Sequence, residues 1–90
     1  MKRYHIYVKG KVQGVGFRWY TERIGNRMEL GGWVRNLPDG RVEIVVEGDE
    51  KKLDDFIEEL KKGYLGRNIK EIVKIEEKYI GEFDKFEIRF

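Results

Sequence analysis

Tyr4-His5-Ile6-Tyr7-Val8-Lys9-Gly10-Lys11-Val12-Gln13-Gly14-Val15-Gly16-Phe17-Arg18 runs from a strand through a tight loop into a helix. Tyr4, Ile6 and Val8 alternate with His5, Tyr7 and Lys9, the period-two pattern of a strand over residues 3–10. Gly14 and Gly16 then let the main chain curl, because glycine takes positive φ at little steric cost. A helix follows from Phe17 or Arg18 to Met28, with Tyr20, Ile24 and Met28 spaced by four along one stripe. Gly25 costs that helix about 1 kcal/mol relative to alanine, and its lack of a side chain lets the helix lie close to a sheet.

Beyond Gly31-Gly32, which end the turn, Trp33-Val34-Arg35-Asn36 reads as a second strand. Leu37-Pro38-Asp39-Gly40 is a reversal, since proline presets φ and Asp-Gly favours a hairpin. Val42, Ile44 and Val46 alternate with Glu43, Val45 and Glu47 in a third strand. Asp49 offers a helix cap, and Leu53, Phe56, Ile57 and Leu60 follow at i, i+3, i+4 and i+7, which predicts a second helix to about Lys62. Gly63 and Gly66 bracket a loop. Residues 69–76 form a fourth strand, and Phe86, Ile88 and Phe90 alternate with Glu87 and Arg89 in a short strand at the end. This order predicts an α+β, ferredoxin-like βαββαβ sandwich: a mainly antiparallel sheet, two helices on one face and a short C-terminal strand. Ninety residues suit a single domain spanning 1–90. The plan hosts many activities and names none.

Composition narrows the function classes. Nineteen basic residues face 17 acidic ones, and a net charge of +2 is too small to call for nucleic acid or a membrane surface. The charges are mixed along the chain, as on solvated faces. Val42–Glu47 is apolar and acidic, unlike the aromatic, basic strand of RNA-binding sheets. With no cysteine, disulfides and thiol chemistry are excluded, and a lone His5 rules out the usual Cys/His metal clusters. The start of the chain lacks the apolar run of a secretory signal, and no stretch approaches the ~20 apolar residues of a membrane span. A cytoplasmic monomer without cofactor or metal is expected. Dense Lys, Glu and Arg point to a thermophilic source.

The glycine loop carries the chemistry. A curl at a helix start aims several amide N–H groups at one spot, which suits an anion. Arg18 sits in or near the first turn, where a cation opposes the helix dipole by roughly 0.3–1 kcal/mol; an anion between amides and guanidinium would offset that cost. A tight glycine turn is as readily structural, and Arg18 tips the reading toward an anion site. The spacing is neither that of a nucleotide P-loop nor that of a dinucleotide fingerprint. Asn36, at a strand end beside a turn, suits local hydrogen bonding as well as it suits holding a water. Trp33 reads as a half-buried sheet residue, Trp19 and Tyr20 as packing or surface aromatics, and His5 as an outward strand residue. No Ser-His-Asp set or carboxylate pair suggests itself.

Gly10-Lys11-Val12-Gln13-Gly14-Val15-Gly16-Phe17-Arg18, Gly32-Trp33-Val34-Arg35-Asn36 and Asp39-Gly40-Arg41-Val42-Glu43 together resemble the acylphosphatase family over nearly the whole chain. The family often has Ala where Gly25 stands, Gly where Glu29 stands, and Gly-Pro where the chain has Gly63-Tyr64. The resemblance implies a metal-free, cofactor-free enzyme that hydrolyses acyl phosphates to a carboxylate and inorganic phosphate. Its partners are then a small-molecule acyl phosphate or inorganic phosphate. By the same resemblance Gln13, Gly14, Val15, Gly16, Phe17 and Arg18 form the phosphate cradle, Arg18 supplies the phosphate-binding guanidinium and Asn36 holds the attacking water. At the C-terminus a frayed end in solvent is expected; pairing of a carboxylate at Phe90 with Arg18 is the alternative.

Overall fold

The structure, a computed structural model, describes residues 1–63 and 65–90; the loop position Tyr64 lies outside the described residues. The elements are β1 (Lys2–Gly10), α1 (Phe17–Arg27), β2 (Gly31–Asn36), β3 (Val42–Gly48), α2 (Glu50–Lys62), a 3₁₀ turn (Gly66–Asn68), β4 (Ile69–Glu77) and β5 (Phe86–Ile88). One sheet takes the order β4-β1-β3-β2-β5. β1 pairs antiparallel with β3 and β4, and β2 pairs antiparallel with β3, whereas β5 runs parallel to β2. The ferredoxin-like arrangement is the predicted one. Gly31 and Gly32 belong to β2 rather than to the turn before it, opposite Glu47 and Val46.

Strand alternation puts one set of side chains under the helices. Tyr4, Ile6 and Val8 of β1, Val34 of β2, and Val42, Ile44 and Val46 of β3 meet Leu53, Phe56, Ile57 and Leu60 of α2 in one core. The Tyr4 hydroxyl donates to Asp54 Oδ1 at 3.0 Å. Burial and that carboxylate push its pKa up to about 12. Asp49 stands at the N-cap of α2, but its side chain makes no capping hydrogen bond.

The buried face of α1 is turned from the predicted stripe. Phe17, Thr21, Ile24 and Gly25 are buried, while Tyr20 and Met28 are only partly so. The small residues Thr21 and Gly25 let the helix approach closely, and Thr21 satisfies its own hydroxyl by donating to the Phe17 carbonyl at 2.8 Å. At Gly25 the packing partner is Phe86: a β-carbon there would come within 2.5 Å of its ring. The helix ends in a Schellman turn, with Leu30 N–H donating to the Gly25 carbonyl (2.9 Å) and Glu29 N–H to the Asn26 carbonyl (3.0 Å). Glu29 occupies the left-handed position of that turn at φ 58°.

Two charges on the face away from the helices depart from the solvated pattern expected of most. Glu43 and Glu47 are 6% and 5% exposed. His5 Nε2 and Arg35 Nε each lie 2.6 Å from the Glu43 carboxylate. The chain between β4 and β5 must pass from one sheet edge to the other. On its way Ile80 and Gly81 donate their N–H groups to Glu47 at 2.8 and 3.1 Å, and Arg3 Nη1 adds a contact at 3.3 Å.

Two predictions follow from this packing. Gly25→Ala is expected to destabilise by about 1–3 kcal/mol despite better helix propensity, because the buried Phe86 ring cannot step aside. Glu29→Gly is expected to stabilise by about 0.5–1 kcal/mol by relieving the left-handed strain. Urea denaturation of both variants checks the pair; the opposite signs contradict the packing. Burial raises the Glu43 pKa, but the bonds from His5 and Arg35 outweigh it and hold the carboxyl below the usual range. Its stabilisation is therefore complete above about pH 4.3 and is lost as pH falls through the depressed native value. Wild-type stability measured down to pH 2 is expected to fall more steeply than that of Glu43→Gln; parallel curves would contradict it.

Candidate active site

The loop between β1 and α1 is pinned at both ends. Val12 and Phe17 are each 1% exposed, and Lys11 N–H donates to the Asn68 carbonyl at 2.9 Å. Between the two anchors the chain alternates in handedness: φ is 76° at Gly14, negative at Val15 and 82° at Gly16. Alternating backbone handedness makes a concave nest of N–H groups. A side chain at Gly14 or Gly16 would meet nothing within 4 Å, so what glycine supplies there is the left-handed φ rather than space. Gly16 is also the N-cap of α1, with no side-chain cap. The N–H groups of Gly14 to Trp19 donate to no group among the described residues. Several of them are the free amides that every helix start leaves over.

Arg18 stands in the first turn of α1, which contains no acidic residue. Its guanidinium has no ion pair among the described residues. Nη1 donates to the Arg89 carbonyl at 3.4 Å, and the guanidinium carbon lies 4.8 Å above the Phe90 ring. The chain end therefore meets Arg18 through a carbonyl and a ring. The alternative of a pairing with a carboxylate at Phe90 is not found among the described residues.

Asn36 ends β2 opposite Val42. Its Oδ1 is shut off from solvent and accepts no hydrogen bond from the described residues. Buried carbonyl oxygens are normally paired, so the fold leaves this amide uncommitted. Gly14, Gly16, Arg18 and Asn36 share one hollow of about 170 Å³ with Val12, Phe17 and Trp19. Two other loop residues point elsewhere: Val15 packs against the core, and Gln13 Nε2 donates to the Leu37 and Arg41 carbonyls at 2.8 Å each. Trp19 is the hollow's one residue that sequence reasoning set aside as a packing or surface aromatic; its place next to Arg18 was the available signal.

A wider depression of about 410 Å³ lies beside the hairpin turn, between Lys9, Gly10, Asp39, Gly40 and Arg41. Its cations are already engaged, Lys9 with Glu71 at 3.6 Å and Arg41 with Asp39 at 2.8 Å. The Arg41 N–H and guanidinium hold the Asp39 carboxyl below its ordinary pKa. The loop hollow, whose amides have no acceptor and whose arginine has no ion pair among the described residues, is the better anion site. His5 lies between Glu43 and Glu77 on the other sheet face and Trp33 lies beneath the Arg35 and Arg89 guanidiniums, so both read as structural. No group of three or more metal-binding side chains is found among the described residues.

Comparison with known proteins gives the family. The family model for acylphosphatases matches residues 4–88. The chain is 46% identical over 89 residues to an acylphosphatase of Syntrophobacter fumaroxidans, covering 99% of this chain and 92% of that one. The crystal structure of acylphosphatase from Bacillus subtilis is similar with a TM-score of 0.92 and 39% identity over all of both chains. The crystal structure of T. kodakarensis HypF is similar with a TM-score of 0.86 and 43% identity, over all of this chain and 12% of that one. With the family's pattern running from β1 to β5, the chain belongs to the acylphosphatase family, enzymes that hydrolyse acid anhydrides.

Proposed function

We propose that this chain hydrolyses the carboxyl–phosphate bond of small acyl phosphates without a metal, using main-chain amides and Arg18 to hold the phosphoryl group and Asn36 to hold the water. The observation that carries this reading is the shared hollow. Residues whose amides, guanidinium and carboxamide oxygen have, among the described residues, no acceptor, no ion pair and no donor line the same 170 Å³. Phosphoryl transfer asks mainly for positioning and for charge stabilisation at the equatorial oxygens. The nest from Gly14 to Trp19 supplies preorganised donors, and Arg18 supplies a planar fork that spans two phosphate oxygens. The leaving group is a carboxylate, which departs without a proton from a strong acid. The attacking water is held against the Asn36 carboxamide. Its proton passes to a phosphate oxygen of the substrate.

The chain then acts as one acylphosphatase-like domain, monomeric and cytoplasmic, with neither nucleic acid nor membrane as partner. The mixed charges support this, as does the lack, among the described residues, of a helix long and apolar enough to cross a membrane. Its Lys, Glu and Arg content supports a thermophilic source. A second reading is a domain that handles an acyl phosphate for a larger partner; the likeness to a segment of HypF favours it. Phosphate release from free benzoyl phosphate in EDTA separates the two. Turnover supports the enzyme, and binding without turnover supports the module.

In that assay Arg18→Ala is expected to lower kcat/KM at least about a hundredfold, with little recovered in Arg18→Lys. Wild-type rates in both variants would remove Arg18 from the site. Asn36→Ala is expected to lower kcat about a hundredfold while KM moves less than about threefold, because the amide acts on the water rather than on the phosphate. A change confined to KM would reassign Asn36 to substrate binding.

A further inference from the structure

The loop and the hairpin must be held in register for amides and carboxamide to face one group, yet the sheet does not do this. β1 pairs with β3 as far as Val8 opposite Val42, and the loop begins beyond that point. Asn36 is the last residue of β2 paired with β3. Past these positions, the hydrogen bonds between loop and turn among the described residues both come from Gln13. Its Nε2 donates to the Leu37 carbonyl and to the Arg41 carbonyl, each at 2.8 Å. Both partners can only accept, so the orientation of the carboxamide is fixed.

These two carbonyls close the neck of the turn. Leu37 N–H donates to the Arg41 carbonyl at 2.8 Å, and Gly40 N–H donates to the Leu37 carbonyl at 3.2 Å. A carbonyl oxygen accepts twice, so Gln13 fills the second lone pair on each. Leu37 is joined directly to Asn36. The Asn36 Oδ1 accepts no hydrogen bond from the described residues, so none of them orients that end of the side chain. Its position is inherited from the backbone, and that backbone is tied to the loop through Gln13.

We infer that Gln13 is a positioning residue for the hydrolytic water: its side chain clamps the hairpin neck and so holds Asn36 in register with the amide nest. The inference rests on the water-holding role proposed above for Asn36. It gives the Gln13 side chain a task separate from phosphate binding, which belongs to the main chain that follows it. A misplacement of about 1 Å in such a group can cost on the order of a hundredfold in rate.

The test is a double-mutant cycle on the full chain, with Gln13→Met, Asn36→Ala and the double variant. Methionine keeps the length of the side chain and removes both donors. Benzoyl phosphate turnover gives kcat, and competitive inhibition by inorganic phosphate gives Ki. Gln13→Met is expected to lower kcat about tenfold or more with Ki within about twofold, and to change kcat less than about twofold once Asn36 is alanine. An equal loss in both backgrounds would overturn the inference, because Gln13 would then act independently of Asn36. So would a Ki that rises as much as kcat falls, which would make Gln13 a phosphate ligand. Wild-type turnover in Asn36→Ala alone sinks the water-holding role, and the inference falls with it. A slow Asn36→Ala with an undiminished Gln13 effect sinks the inference alone. Should Gln13→Met not fold, Gln13→Asn keeps the amide but falls short of the turn, and the same outcomes decide.

Discussion

Val12 and Phe17 are both buried, and the short run between them must turn a strand into a helix. It does so by alternating backbone handedness at Gly14, Val15 and Gly16. The turn leaves N–H groups with no internal partner, a state that costs free energy when such groups are removed from water. An anion removes that cost and also meets the positive end of α1. A doubly charged phosphoryl group, as proposed above, would meet both these amides and the charge of Arg18. The rest of the fold serves this arrangement by holding the anchors still. Val12 and Phe17 belong to the same core as Ile6, Ile44 and Leu60.

Rigidity comes from both faces of the sheet by different means. Under the helices it is apolar packing, with α1 drawn close to β5 at Gly25 and Phe86. On the other face it is a set of shielded ion pairs. Glu43 is held by His5 and Arg35, and Glu47 is held by Arg3 and two main-chain amides. A buried carboxylate is tolerable when such donors compensate its lost hydration. Glu47 also secures the crossing that carries the chain from β4 to β5. Through that crossing β5 reaches the far edge beside β2 and brings Arg89 and Phe90 to Arg18.

Much of this was legible in the sequence. Period-two alternation in β1 and β3, the i, i+3, i+4, i+7 stripe of α2 and the Pro-Asp-Gly turn are local signals, and local signals survive folding. So does the glycine loop, since positive φ is written directly in the residue type. Of the residues that the family resemblance marked, Gly14, Gly16, Phe17, Arg18 and Asn36 line one hollow, and Gln13 and Val15 do not. What was hidden depends on distant partners. Glu43 and Glu47 look like the solvent side of a strand until β1, β2 and the crossing segment cover them. The face of α1 was misjudged at Thr21, which looks unlike a core residue, whereas the close approach read from Gly25 is found against Phe86. The destination of the Gln13 side chain depends on a turn far along the chain, and no pattern near Gln13 reveals it.

The central claim is that the main chain from Gly14 to Trp19, together with Arg18, captures a phosphate group. The most direct measurement is a titration of the ¹⁵N-labelled chain with inorganic phosphate, following backbone amides and the Arg18 Nε–H by NMR. Capture predicts saturable shifts in that contiguous set and in Arg18, with amides of β4 and the outer face unmoved. Saturable shifts centred instead on Lys9, Asp39 and Arg41, or no shift at Gly14, Gly16 and Arg18 at any phosphate concentration, would contradict it.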